Sequence, residues 1–93
     1  MHTYVIERTV PGAGEMDAAA LAGIAAKSNE VLRALGADIQ WQHSYVAADK
    51  ITCVYLAANE ELVREHAGCG GFPIDEVLEV RMIIDPTTAG GAR

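Results

Sequence analysis

Residues Ile39–Ala58 read IQWQHSYVAADKITCVYLAA. Runs of β-branched and aromatic residues flank Ala47-Ala48-Asp49-Lys50, the pattern of a β-hairpin. The turn holds no glycine, which disfavours a two-residue type I′ loop with its positive φ at both central positions. A four-residue loop built on a type I turn fits instead, and pairs Val46 with Ile51. Unbroken alternation from that pairing puts Trp41, His43 and Tyr45 on one face with Thr52, Val54 and Leu56. Ser44, Val46, Ile51, Cys53, Tyr55 and Ala57 take the other. The second set is smaller and drier, and suits packing beneath helices. The first is large and amphipathic, so Trp41, Tyr45 and Leu56 are expected to line a ligand cavity or a dimer face.

Working outward, Thr3–Arg8 reads as a first strand, closed by Pro11-Gly12-Ala13-Gly14. A helix is predicted over Ala18–Leu35, with Asp17 as N-cap, an apolar stripe through Leu21, Ile24, Ala25, Ser28, Val31, Leu32 and Leu35, and Gly36 as its stop. After the hairpin, Asn59 caps a short second helix with Glu60 and Glu61 in its first turn. Gly68, Gly70, Gly71 and Pro73 are expected to end it. Val77–Asp85 alternates apolar and charged residues as a last strand, and Pro86 closes it. Residues 1–86 thus form a single domain, with 87–93 as a flexible C-terminal tail. The order β-α-β-β-α-β defines an α+β, ferredoxin-like fold: a four-stranded antiparallel sheet with both helices on one face. The opposite face would be bare, and a second copy is the simplest cover. A homodimer of the dimeric α+β barrel type follows.

The whole sequence limits the functional classes. Its 93 residues make one modest core, and 51% hydrophobic with 22% charged residues is a globular composition. A net charge of −6 argues against nucleic acid or an anionic membrane as partner. No run approaches the ~18 apolar residues of a membrane span. The N-terminal residues lack the layout of a signal peptide, so a cytoplasmic protein is expected. Cys53 and Cys69 match no zinc or redox spacing and are expected as reduced thiols.

Six segments stand out: Tyr4-Val5-Ile6-Glu7-Arg8, Pro11-Gly12-Ala13-Gly14, Trp41-Gln42-His43-Ser44-Tyr45-Val46, Cys53-Val54-Tyr55-Leu56-Ala57, Arg64-Glu65-His66-Ala67 and Gly70-Gly71-Phe72-Pro73. Together they resemble a family of small bacterial ferredoxin-like proteins of unknown function, one branch of which is described as nickel-binding. The resemblance spans nearly the whole chain. It implies the fold, a dimer, and nickel or a similar divalent ion as cofactor, and it brings no metal motif with it.

Three residues are candidate metal ligands. His43 offers an imidazole, suited to nickel, zinc or copper and to acid–base work near neutral pH; its structural alternative is a cross-strand hydrogen bond beside Trp41 and Tyr45. Glu7 offers a hard oxygen ligand or a base, or else pairs with Arg8, Arg81 or a loop amide. Strand parity alone does not say whether it shares the His43 face. His66 lies on the apolar stripe of the short helix, where a lone histidine is more often a core residue than a ligand. Cys53 is expected to act as a small buried hydrophobe and Cys69 to lie exposed in a glycine-rich turn. His2 can chelate opportunistically at the chain end. Gly68–Pro73 lacks the Lys-Ser/Thr of a phosphate loop. No catalytic residue is assigned. The leading expectation is a cytoplasmic dimeric metal-binding protein. A second is an isomerase- or monooxygenase-type enzyme with His43 as acid–base group in a cavity between sheets, by analogy of fold alone. A third is a purely structural module.

Overall fold

Strand alternation and helical periodicity are realised as β1 (His2–Thr9), α1 (Ala18–Leu35), β2 (Ile39–Val46), β3 (Lys50–Ala57), α2 (Glu60–Gly70) and β4 (Glu76–Glu79). The structure is a computed structural model describing residues 1–91. Short 3-10 turns cover Ala13–Glu15 and Pro86–Gly90. The four strands form one sheet in the order β2-β3-β1-β4, with every pairing antiparallel. This is the α+β, ferredoxin-like arrangement expected from the order of elements.

The helix boundaries follow from local chemistry. The Asp17 side chain accepts from the Ala20 amide, and Gly36, at φ 94°, stops α1. The Asn59 side chain accepts from the Leu62 amide at the start of α2. That helix is longer than its glycines suggest, running through Gly68 and Cys69 to Gly70 before Gly71 caps it at φ 72°. Cys69 is therefore an exposed helical residue rather than part of a turn. Glycine inside a helix costs only about 1 kcal/mol, and here Gly70 has a packing reason. A Cβ at Gly70 would come within 2.2 Å of the Phe72 ring, which folds back over it.

The hairpin turn pairs Val46 with Ile51 as expected. It is held from outside: Val10 and Gly14 amides donate to the Asp49 and Ala48 carbonyls, and the Gly12 amide donates to the Asp49 carboxylate. The strand leading into it departs from simple alternation. Trp41 pairs with Tyr55 and His43 with Val54, so Gln42 is the extra residue of a β-bulge. Trp41 consequently lies on the helix-facing side with Tyr55, not with His43, Tyr45 and Leu56 as alternation predicts.

The core sits between the sheet and the helices, around Tyr4, Ile6, Ile39, Ile51, Cys53, Tyr55, Ala57 and Val63. The other face carries Thr3, Val5, Thr52, Val54 and Leu56, all half-buried with no helix over them. The last strand also ends early, at Glu79 rather than Asp85. Tyr4 pairs with Glu79, and the Val80 amide still reaches the Thr3 carbonyl, but β1 begins at His2. The apolar residues that follow outrun their partner strand, leaving Met82, Ile83 and Ile84 at 81%, 78% and 78% exposure. Asp85 then caps the 3-10 turn Pro86–Gly90, and the end of the expected tail, 92–93, lies outside the described residues.

Candidate functional site

Chemically capable side chains gather on both sides of the sheet, and the bulge at Gln42 decides which side each takes. On the open side, the register aligns His43, Val54, Val5 and Leu78 in one row across all four strands. The neighbouring row is Tyr45, Thr52, Glu7 and Glu76. Glu7 thus shares the His43 face, which strand parity alone left open. His43 is exposed, and its Nε2 lies 3.0 Å from the Tyr45 hydroxyl, with the rings edge-to-face at 5.0 Å. Glu7 Oε1 meets Lys50 Nζ at 3.4 Å across the partly solvated surface.

His43 and Glu7 are not adjacent. Strands lie about 4.8 Å apart, so two spacings separate β2 from β1 by roughly 10 Å. Side chains standing off the sheet at that separation do not close on one ion, whose donors must lie within about 2.2 Å. Among the described residues, no three or more His, Cys, Asp or Glu side chains gather as a metal centre. One chain therefore offers nickel a suitable donor type in the His43 imidazole, but not a full set of protein donors.

His66 belongs to the other side. It is buried, its Nε2 lies 3.1 Å from Ser28 Oγ, and its Nδ1 has no hydrogen-bond partner. Its ring stacks on Phe72 at 5.4 Å and tilts against Tyr55 at 5.2 Å. Burial pushes its pKa below 6.5; Ser28 opposes the shift and the nearby Arg8 charge adds to it. A neutral imidazole follows, acting as a core group between α1 and the sheet. His2, exposed, has the strand parity of Tyr4 and Ile6 and so stands apart from His43.

Sequence reasoning passed over Arg8. It shares the buried parity of Tyr4 and Ile6 in β1, and a cation at that parity was the available signal. Its guanidinium is buried, donates to the Pro73 carbonyl at 2.6 Å and touches the Tyr55 hydroxyl at 3.5 Å. The Phe72 ring lies beneath it, 5.6 Å from centroid to Cζ. Burial raises the Tyr55 pKa, with Cys53 adding to the rise and Arg8 opposing it, so the phenol stays neutral. Beside these groups, a cavity of about 320 Å³ opens between the first half of α1 and the sheet. Trp41 lines it, its Nε1 donating to Ser44 Oγ at 2.9 Å.

The strand order and the helices on one face define a ferredoxin-like α+β protein of the small, two-helix kind. Residues 4–80 match the family model described as nickel responsive protein SCO4226-like, and the chain belongs to that family. This is the small bacterial family to which the sequence segments pointed. The crystal structure of SCO4226 from Streptomyces coelicolor A3(2) has the same fold. It matches with a TM-score of 0.73 at 15% identity, over 88% of this chain and 99% of that one. No curated protein matches the chain. Neither match names an enzymatic activity. No helix among the described residues is long and apolar enough to cross a membrane.

Proposed function

We propose that this chain is a cytoplasmic nickel-binding protein that binds the ion, or a similar divalent metal, at His43 on the open face of the sheet, as a homodimer. The observation that carries the reading is the exposed His43 imidazole on that face, in a member of a nickel-responsive family. Imidazole is a suitable donor for nickel, and binding it needs the neutral ring. Too few donors meet in one chain, and a second copy stacked on the same face brings another His43 and another Glu7. The half-buried apolar row Val54–Val5 and the exposed Met82, Ile83 and Ile84 favour such a copy, because an apolar surface of this kind gains by leaving water. His66, beneath the opposite face, is left out of the site.

Titration of metal-free protein with nickel against a competing chelator, with light scattering on the same samples, tests the proposal. Stoichiometric uptake by a dimer is the expected result. A compact monomer, or no uptake, would overturn it.

A further inference from the structure

Arg8 is 4% exposed, and the groups it touches, a carbonyl, a phenol and an aromatic ring, are all neutral. Among the described residues no carboxylate lies within ion-pair distance of it. Guanidinium remains charged in proteins, so it cannot relieve its burial by losing a proton. A buried charge without a counter-ion is strongly disfavoured, and an anion is what compensates it. It also carries five N–H donors in a planar fork that matches a carboxylate, and the two hydrogen bonds made here use two of them.

The adjoining cavity says what kind of anion. Among the described residues Arg8 is the only charged side chain lining it, with Ser28, Ser44 and Tyr55 as neutral polar company. The remaining walls are apolar, among them Leu21, Ile24, Trp41 and Val46. A mostly apolar pocket with a few convergent polar groups is the usual form of a small-molecule site. A cavity of 150 Å³ holds benzene, so 320 Å³ has room for about a dozen heavy atoms. A phosphate ester carries nearly two charges and would leave one unbalanced against a single guanidinium. We propose that this cavity is a binding site for an amphipathic monocarboxylate, its carboxylate on Arg8 and its apolar body under α1 against Trp41. The site lies across the sheet from His43 and is independent of nickel.

Trp41 is the only tryptophan in the chain, so its fluorescence reports on the cavity directly. Octanoate, octanamide and acetate are titrated into the wild-type protein, with calorimetry in parallel. Octanoate is expected to bind saturably and shift Trp41 emission, with octanamide and acetate each at least tenfold weaker. Arg8→Met should remove the preference for the acid over the amide. Ala25→Phe, which fills the cavity and keeps Arg8, should abolish binding, while His43→Gln should leave it unchanged. The proposal is overturned by no saturable signal up to about 10 mM, far weaker than a specific site requires. Equal binding of acid and amide, or full binding by Ala25→Phe, would overturn it too. The acid–amide comparison uses only wild-type protein, so it decides the matter even if Arg8→Met does not fold.

Discussion

The two faces of the sheet each hold a histidine, and the two could hardly differ more. His66 lies beneath the helices without solvent, wedged between Tyr55 and Phe72 and kept neutral by burial. His43 stands on the uncovered face beside a tyrosine hydroxyl, free to meet an ion or another chain. Imidazole chemistry is the same in both, and the environment assigns the role. The lesson is that a histidine's worth as a ligand is set by what has already been spent on its solvation, not by the company it keeps in sequence.

The largest expected effect contrasts adjacent residues of β1. Ile6→Ala empties the core side and should cost about 2–5 kcal/mol, as large-to-small core changes do. Val5→Ala, one residue away on the open face, should cost under about 1 kcal/mol in the monomer. Urea denaturation measures both. A Val5 cost approaching that of Ile6, and rising with protein concentration, would show that a second copy covers the open face.

Next in size is His66→Gln, expected to destabilise by about 1–3 kcal/mol through lost ring packing in the core. It should also change the pH profile. Because the folded pKa lies below the unfolded value of 6.5, the unfolded chain binds a proton first as pH falls. Stability from this group is therefore whole above about pH 6.5 and lost as pH drops from there through the lower folded pKa. Thermal melts between pH 7.5 and 5 should show that decline in the wild type and a flatter profile in the variant.

His43→Gln should leave stability unchanged and weaken nickel at least tenfold, about 1.4 kcal/mol, by chelator competition. The opposite outcome, with His66 controlling nickel and His43 indifferent, would move the site to the helix side. Smallest is Trp41→Phe, which removes the indole donor to Ser44 and should cost about 1 kcal/mol in stability with no change in nickel affinity. An effect on nickel would mean that the two faces communicate.

Much of this architecture was legible because it is encoded locally. Asp17, Gly36 and Asn59 mark helix ends by their own side chains or backbone freedom, and the hairpin turn pairs Val46 with Ile51 as its length demands. What escaped depends on residues distant in sequence. Nothing at Gln42 announces an extra residue, so alternation alone puts Trp41 on the open face, opposite to its observed side. Leu78, Val80, Met82 and Ile84 alternate with Glu79 and Arg81 like a strand, yet the strand stops because β1 has run out beside it. Arg8 reads as a surface charge until β1 pairs on both sides and its parity is fixed. The metal candidates were found as residue types, but their separation across two strands appears only once the register is known.

The bulge has a consequence for how this chain can change. Ile39 is moored in the core and Val46 at the turn, so the two halves of β2 are held at separate anchorages. Trp41 and His43 already pair with successive residues of β3, so loss of the single codon for Gln42 would restore unbroken alternation with neither half turned over. The indole would keep its shelter under the helix and the imidazole its place on the outer surface. The strand can therefore shorten by one residue at this point without exchanging its two faces.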